Sequence, residues 1–173
     1  QWREYTQVII AEADRLQDLM NRLLNSHRMM HPTVVNVHDV LERVLRLIQA
    51  EFPAITMRRD YDISLPQLTA DREQLIQAVL NISRNAAQAL KGEGIVTLRT
   101  RAARQVTLAK RRHKLALELQ VIDNGPGIPA EIRDKIFYPL VSGRDGGSGL
   151  GLSLAQSFIE QHQGMIEDRK SVV

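Results

Sequence analysis

The sequence predicts an α+β domain with a helical appendage, and three observations lead there. With 173 residues and 43% hydrophobic content, the chain is long enough to bury one independent core. Apolar residues recur at three- and four-residue spacing in some segments and at every second residue in others, so helices and strands are mixed along the chain. Seven of the ten glycines crowd between Gly125 and Gly151, where the regular patterning stops. Composition also excludes much. Without a cysteine there is no disulfide framework, thiolate metal site or cysteine nucleophile. Apolar runs are too short to span a bilayer and no signal-peptide pattern opens the chain, so a soluble cytoplasmic protein with no membrane partner is expected. Aromatic residues at 4% argue against a base-stacking platform, and a net charge of +3 is a weak field despite a pI near 9.5. No nucleic-acid partner is expected.

Residues 1 to about 28 read as one long helix. Tyr5, Val8, Ile9, Leu16, Leu19, Met20, Leu23 and Leu24 form its stripe, and Ile9, Leu16 and Leu23 sit seven apart, as a bundle seam requires. Arg3, Glu12, Asp14, Arg15, Asp18 and Arg22 make the solvated face. A helix that opens at Gln1 with no capping residue is expected to have an upstream partner; packing against its own domain is the other reading. Pro32 interrupts the pattern. Val34 to Val37 reads as a short strand, His38 to Phe52 as a second amphipathic helix, and Ile55 to Tyr61 as a strand. Asp71, with Gln74 three residues later as in a capping box, opens a third helix that runs to about Leu90 and stops at Gly92 and Gly94. Ile95 to Arg101 and Leu115 to Ile122 read as strands, and the basic stretch from Arg104 to Lys114 as a solvated hairpin. A last helix spans about Leu152 to His162, ends at Gly164, and a strand is expected from Met165.

The glycine-dense segment matches neither a Walker A loop nor a Rossmann fingerprint. It contains Asp123-Asn124-Gly125-Pro126-Gly127 at a strand end and Gly147-Ser148-Gly149-Leu150-Gly151-Leu152 at a helix start. Glycines at a helix start let backbone N–H groups approach an anion where the helix dipole favours negative charge. A carboxylate at a strand end, beside glycines that leave room for a flat ring, can accept from the exocyclic amine of adenine. Guanine presents a carbonyl there. On the third helix, Asn81 and Asn85 are four apart and share one face, and carboxamide oxygens suit Mg²⁺. Each feature has an ordinary reading beside this one. The asparagines could be satisfied buried amides, Asp123-Asn124-Gly125 a tight turn, and the later glycines a flexible loop. The five histidines read as surface or structural residues.

Taken together, Asn81-x-x-x-Asn85-Ala86, Asp123-x-Gly125-x-Gly127, Phe137-x-Pro139 and Gly147-x-Gly149-x-Gly151 resemble the catalytic domains of two-component sensor histidine kinases, within the GHKL ATP-binding superfamily. Asp60-Tyr61-Asp62 with Ser64-Leu65-Pro66, and Phe137 to Arg144, resemble the nitrogen-regulation branch of those kinases. The resemblance implies a two-layer α/β sandwich of the Bergerat type. Residues 1–31 would be the second helix of a dimerisation and phosphoacceptor hairpin whose first helix is missing, and 32–173 the catalytic domain, truncated or altered at its C-terminus. It implies ATP and Mg²⁺ as cofactors, with Asn85 on the metal and Asn81 supporting metal or phosphates. Asp123 would hold adenine, with Gly125 and Gly127 making room. Gly147, Ser148, Gly149, Leu150 and Gly151 would line the triphosphate, and Arg144 would lie near the γ-phosphate. The implied partners are the histidine-containing hairpin of the full-length kinase, an NtrC-like response regulator and a PII-like signal protein, with a homodimer when full length.

Three functions compete on this reading: phosphoryl transfer to a histidine on a separate helix, an ATP-hydrolysing clamp, and a non-catalytic nucleotide-responsive module. Hydrolysing relatives resemble E-x-x-x-N-A, with a glutamate to activate water. Here that position is Asn81, whose amide cannot accept a proton at neutral pH. The kinase reading is therefore the expectation.

Overall fold

The computed structural model describes residues 1–26, 29–108, 110–125, 151–162 and 164–166. The chain runs α1 (Trp2–Ser26), β1 (Thr33–Val35), α2 (Val37–Glu51), β2 (Ile55–Asp60) and β3 (Leu68–Ala70). It continues through α3 (Arg72–Ala89), β4 (Gly94–Leu108), β5 (Arg111–Asp123) and α4 (Gly151–Gln161). A three-stranded sheet has the order β2-β4-β5, and β1 pairs with β3 in a separate two-stranded sheet. β2 runs parallel to β4, from Ile55 opposite Gly94 to Asp60 opposite Arg99. β4 and β5 are antiparallel, from Val96 opposite Asp123 to Leu108 opposite Arg111.

Local chemistry sets the helix boundaries. The Asn36 side chain accepts from the His38 N–H at 2.9 Å, so α2 starts at Val37 and the preceding strand ends at Val35, short of the expected Val37. Asp71 caps α3, its Oδ1 accepting from the Gln74 N–H at 3.1 Å. The reciprocal half of a capping box is not made: the Gln74 side chain is buried and its amide has no hydrogen-bond partner among the described residues. α3 unwinds through Lys91 (φ 56°) and Gly92 (φ 77°), and the Gly92 N–H reaches back to Ala87 O at 3.0 Å.

Between the helices and the sheet lies the core. Val40, Leu41, Val44, Leu45 and Ile48 of α2 and Ile76, Val79, Leu80, Ala86 and Ala87 of α3 are buried with Ile55, Val96 and Leu98 of the sheet. Leu117, Leu119 and Val121 complete it from β5 at every second residue, which puts one face of the strand under the helices. Ala78, Ala155 and Phe158 form a second, smaller cluster that seals α4 against α3. This is the two-layer α/β arrangement that the sequence predicts.

One edge of the core is polar. The buried Thr100 hydroxyl accepts from the Asp62 N–H at 2.9 Å and lies 2.9 Å from His38 Nε2. The His38 ring stacks on Tyr61 at 4.7 Å between centroids, and the Tyr61 hydroxyl donates to Glu42, which Arg59 also holds. Burial, reinforced by the Glu42 charge, pushes the Tyr61 phenol up to about 12. The Arg59 hydrogen bond keeps the Glu42 carboxyl below the usual range.

Three features depart from the sequence reading. β3 was not foreseen; it is only 3 residues long, too short for a two-residue period to register. β4 and β5, with 15 and 13 residues, extend through the basic stretch, because the expected hairpin is a paired ladder, interrupted at Gln105 (φ 55°), rather than a loop between two shorter strands. Met165 and Ile166 are not in a strand, the rest of the strand expected there lies outside the described residues, and Ile166 packs on the seam of Ala78, Ala155 and Phe158. α1 keeps its helix, but Tyr5, Val8, Ile9, Leu16 and Met20 of the stripe are exposed.

Leu98 is fully buried under both main helices, so truncating it leaves a cavity that packing cannot close. Leu98→Ala is expected to lower the unfolding free energy by about 2–5 kcal/mol in a chemical denaturation series. A loss under about 1 kcal/mol would show that the sheet does not anchor the core.

Candidate functional site

The two-residue period that sends Leu117, Leu119 and Val121 of β5 toward the helices also sends Asp123 there, at the strand's last position opposite Val96. Asp123 is half-buried, and its Oδ1 accepts from the Gly125 N–H at 2.8 Å in a tight turn. No hydrogen bond to Asp123 Oδ2 forms among the described residues. Asn124 locks the same strand end to its neighbour, with Oδ1 accepting from the Ile95 N–H at 3.0 Å.

Two glycines let the C-terminal end of α3 settle against this turn. A Cβ on Gly125 would stand 2.9 Å from Asp123 Oδ1 and 3.0 Å from Leu90 Cδ2. A Cβ on Gly94, which has φ 144°, would stand 2.8 Å from Asn124 Oδ1 and 3.1 Å from Leu90 Cδ1. Any larger residue must shift the Leu90 side chain and either the Asp123 carboxylate, at position 125, or the Asn124 carboxamide, at position 94. From sequence, Gly125 is expected to leave room for a flat ring and Gly94 only to stop a helix; their contact with Leu90 is not anticipated. Sequence reasoning misses Leu90 and Asn124, because their partners are distant in sequence and no spacing rule ties them together.

α3 carries both carboxamides. Asn81 is 2% exposed, and its Oδ1 accepts from Gln77 Nε2 at 3.1 Å. Asn85, one turn further on, is half-buried. The third wall comes from α4, which lies antiparallel to α3. His162, at its C-terminal end, accepts from the Asp71 N–H at the start of α3, with Nε2 at 2.9 Å. Since Nε2 accepts there, Nδ1 is the protonated nitrogen and donates to Phe158 O at 2.7 Å. At 1.5 Å per residue, Gly151 lies about 16 Å from His162 along α4, and Asn81 about 15 Å from Asp71 along α3. The first residue of α4 is therefore about level with Asn81, and Asn85 lies about 6 Å further along α3.

The structure thus places Asn81 and Asn85 on α3, Asp123 and Gly125 where the end of β5 meets Leu90 at the C-terminal end of that helix, and Gly151 at the start of α4. Gly127, Arg144, Gly147, Ser148, Gly149 and Leu150, with Phe137 and Pro139, lie outside the described residues. Among the described residues, no group of three or more histidine, aspartate and glutamate side chains is placed to hold a metal. No helix described is long and apolar enough to cross a membrane.

The sequence profile of the histidine kinase-, DNA gyrase B- and HSP90-like ATPase family matches residues 70–172, and the chain belongs to that family. Within the family its relatives are nitrogen-regulation kinases: it is 54% identical over 167 residues to the sensory histidine kinase/phosphatase NtrB of Klebsiella oxytoca. That match covers 95% of this chain but 48% of the relative, so the chain spans about half the length of the curated proteins it resembles. Among solved structures, the nucleotide-free catalytic domain of histidine kinase ThkA is 26% identical, with a TM-score of 0.63, covering 76% of this chain and 82% of that one. The crystal structure of ThkA in complex with the response regulator protein TrrA is 25% identical with a TM-score of 0.72, covering 98% of this chain and 48% of that one.

Gly94→Ala is the direct test of the seam between α3 and the end of β5. It combines a positive φ with contacts at 2.8 and 3.1 Å, so unfolding free energy should fall by more than about 1 kcal/mol. Stability equal to that of the unmodified chain would mean that the end of α3 is not held against Asn124.

Proposed function

We propose that this chain is the ATP·Mg²⁺-binding half of a histidine kinase. It would transfer the γ-phosphoryl group to a histidine on a separate helix, from which the group passes to an NtrC-like response regulator. The observation that carries this reading is the match to the histidine kinase-, DNA gyrase B- and HSP90-like ATPase family over residues 70–172, supported by a carboxylate, Asp123, on the helix-facing side of β5 and two asparagines on α3. Asp123, on the helix-facing side of β5, would accept from the adenine amine, with Gly125 and Gly127 making room for the ring. The start of α4 and the glycines before it would offer N–H groups to the phosphates. Arg144 would neutralise charge near the γ-phosphate.

The residues present also fit the metal. Mg²⁺ keeps most of its waters and takes few protein ligands, and Asn85 would give it one carboxamide oxygen. Mg²⁺ when bound supplies charge neutralisation on the β- and γ-phosphate oxygens. Buried and held by Gln77, Asn81 would keep its neighbour Asn85 oriented, and it provides no base to activate water. The incoming imidazole nitrogen forms a bond to the γ-phosphorus as the bond to the bridging oxygen breaks, and ADP leaves. A neutral imidazole needs no further activation, so positioning and electrostatics suffice.

Residues 1–31 would form the second helix of the dimerisation hairpin, and 32–173 the catalytic domain. The exposed stripe of Tyr5, Val8, Ile9, Leu16 and Met20 supports a homodimer formed through that hairpin. Resemblance to the NtrB proteins supports control by a PII-like signal protein. A hydrolysing clamp is the second reading, and the amide at position 81 weighs against it.

ATP and ADP should bind more tightly than GTP, and Asp123→Asn should remove that preference. The loss of one charge-assisted hydrogen bond is worth about 1.5–3 kcal/mol. Equal ATP and GTP affinity in the unmodified chain, measured by titration calorimetry, would overturn the assignment of Asp123.

With radiolabelled ATP the chain alone should stay unlabelled, and a supplied hairpin carrying a phosphoacceptor histidine should take up label. Asn85→Ala should abolish the transfer, and Asn81→Glu should raise phosphate release without the hairpin. Label on the chain alone would make one of its own histidines the acceptor. Rapid phosphate release by the unmodified chain would favour the clamp.

A further inference from the structure

Asp71 does more than cap α3. Its side chain is buried at 2% exposure, and the residue receives or makes hydrogen bonds in three directions. Oδ1 accepts from the Gln74 N–H at 3.1 Å, inside the first turn of α3. Oδ2 accepts from the His31 N–H at 2.8 Å, across a separation of 40 residues. The Asp71 N–H donates to His162 Nε2 at 2.9 Å, and the same ring is fixed to α4 through Phe158 O. One residue therefore joins the end of the α1 linker, the start of α3 and the end of α4.

The β1–β3 ladder builds this junction. Thr33 pairs with Ala70, so the antiparallel register carries the chain just before β1 alongside the chain just after β3. That places His31 beside Asp71. Pro32 fixes φ at the next residue and stiffens the approach. From Ser26, the end of α1, to His31 the chain can reach at most about 18 Å, so holding His31 limits where α1 can lie. The two helices tied on the other side of the junction are those that carry Asn81, Asn85 and Gly151.

We propose that Asp71 is a positioning residue: through the His31 tether it holds α1 in a fixed relation to the helices that carry the nucleotide contacts. Cutting the tether removes that restraint from α1, which keeps its contact with α4, and leaves the ATP site whole. Its bearing on phosphoryl transfer rests on the kinase reading above, but the tether itself does not need nucleotide.

Two variants cut the tether from opposite sides. Asp71→Ser keeps a capping oxygen for Gln74 and loses the second acceptor. His31→Pro removes the donor and leaves Asp71 untouched. Because the chain has no cysteine, Gln7→Cys and Arg43→Cys can be spin-labelled cleanly on α1 and α2. Labelled chain, diluted into excess unlabelled chain, is measured by pulsed electron resonance without nucleotide. The expected result is one narrow distance distribution in the tethered chain and a broad one in each variant. The double variant should be no broader than either single one, since both remove the same bond. ATP affinity should stay within about twofold in both variants, well under the tenfold that 1.4 kcal/mol represents.

A distribution that stays narrow in both variants, or is already broad in the tethered chain, overturns the proposal. So does a selective loss of ATP affinity in Asp71→Ser with an unchanged distribution, which would leave the carboxylate serving α3 alone. A tethered chain that fails to bind ATP refutes the kinase reading, and the distance measurement still decides the tether.

Discussion

The packing of α3 against β4 and β5 is the constraint on which the other elements depend. α3 buries Ile76, Val79, Leu80, Ala86 and Ala87 against Val96, Leu98 and the inward residues of β5, and its flank seals α4 through Ala78. An 18-residue helix held on two sides has little freedom to rotate. Its polar positions, Asn81 and Asn85, are therefore fixed by the same contacts that stabilise the domain. Asp123 is placed by the same logic, since its direction follows from strand parity and the end of its strand is locked to β4 through Asn124. Site and core are one piece of packing, and a change in either is felt in the other.

Much of this was legible in the sequence, and the reasons are local. The stripes of α2 and α3, the alternation in β5 and the caps at Asp71 and Gly92 each follow from residues within a few positions of one another. Two layers follow once helices with one apolar face meet strands with one apolar face. What the sequence hid is non-local. β3 exists because three residues find a partner in β1, and no pattern within Leu68 to Ala70 announces it. The contact of Leu90 with two glycines, and the bond from the His31 backbone to Asp71, require chain segments to meet that are far apart in sequence. Asp71 was readable as a cap and unreadable as a junction, because a backbone N–H leaves no trace in residue identity.

In the candidate site, the legible part was the set of residues with unusual chemistry for their position: a carboxylate at a strand end, paired carboxamides on a helix, glycines at a helix start. The illegible part was how they are supported. Gln77 on Asn81, Asn124 on the β4 backbone and His162 on Asp71 are ordinary polar residues whose roles depend on where the fold places them. Supporting residues of this kind determine how rigidly a site is presented, and they are read from contacts alone.

The ribbon formed by the outer halves of β4 and β5 has a consequence for how copies of this protein behave in a crowded solution. β2 covers β4 only as far as Arg99, so from Thr100 onward two strands continue without a third among the described residues. A long, bare ladder of this kind is a template on which another chain can add a strand. Here its surface carries Arg101, Arg104, Lys110, Arg111, Arg112 and Lys114, all exposed, with no carboxylate until Glu118. Arg101 is paired with Asp60, and the other five have no ion-pair partner among the described residues. A second ribbon laid alongside would set cation against cation, so the edge repels its own likeness while the pairing within each hairpin stays intact. That protection is electrostatic, and it weakens as salt shortens the reach of the charges.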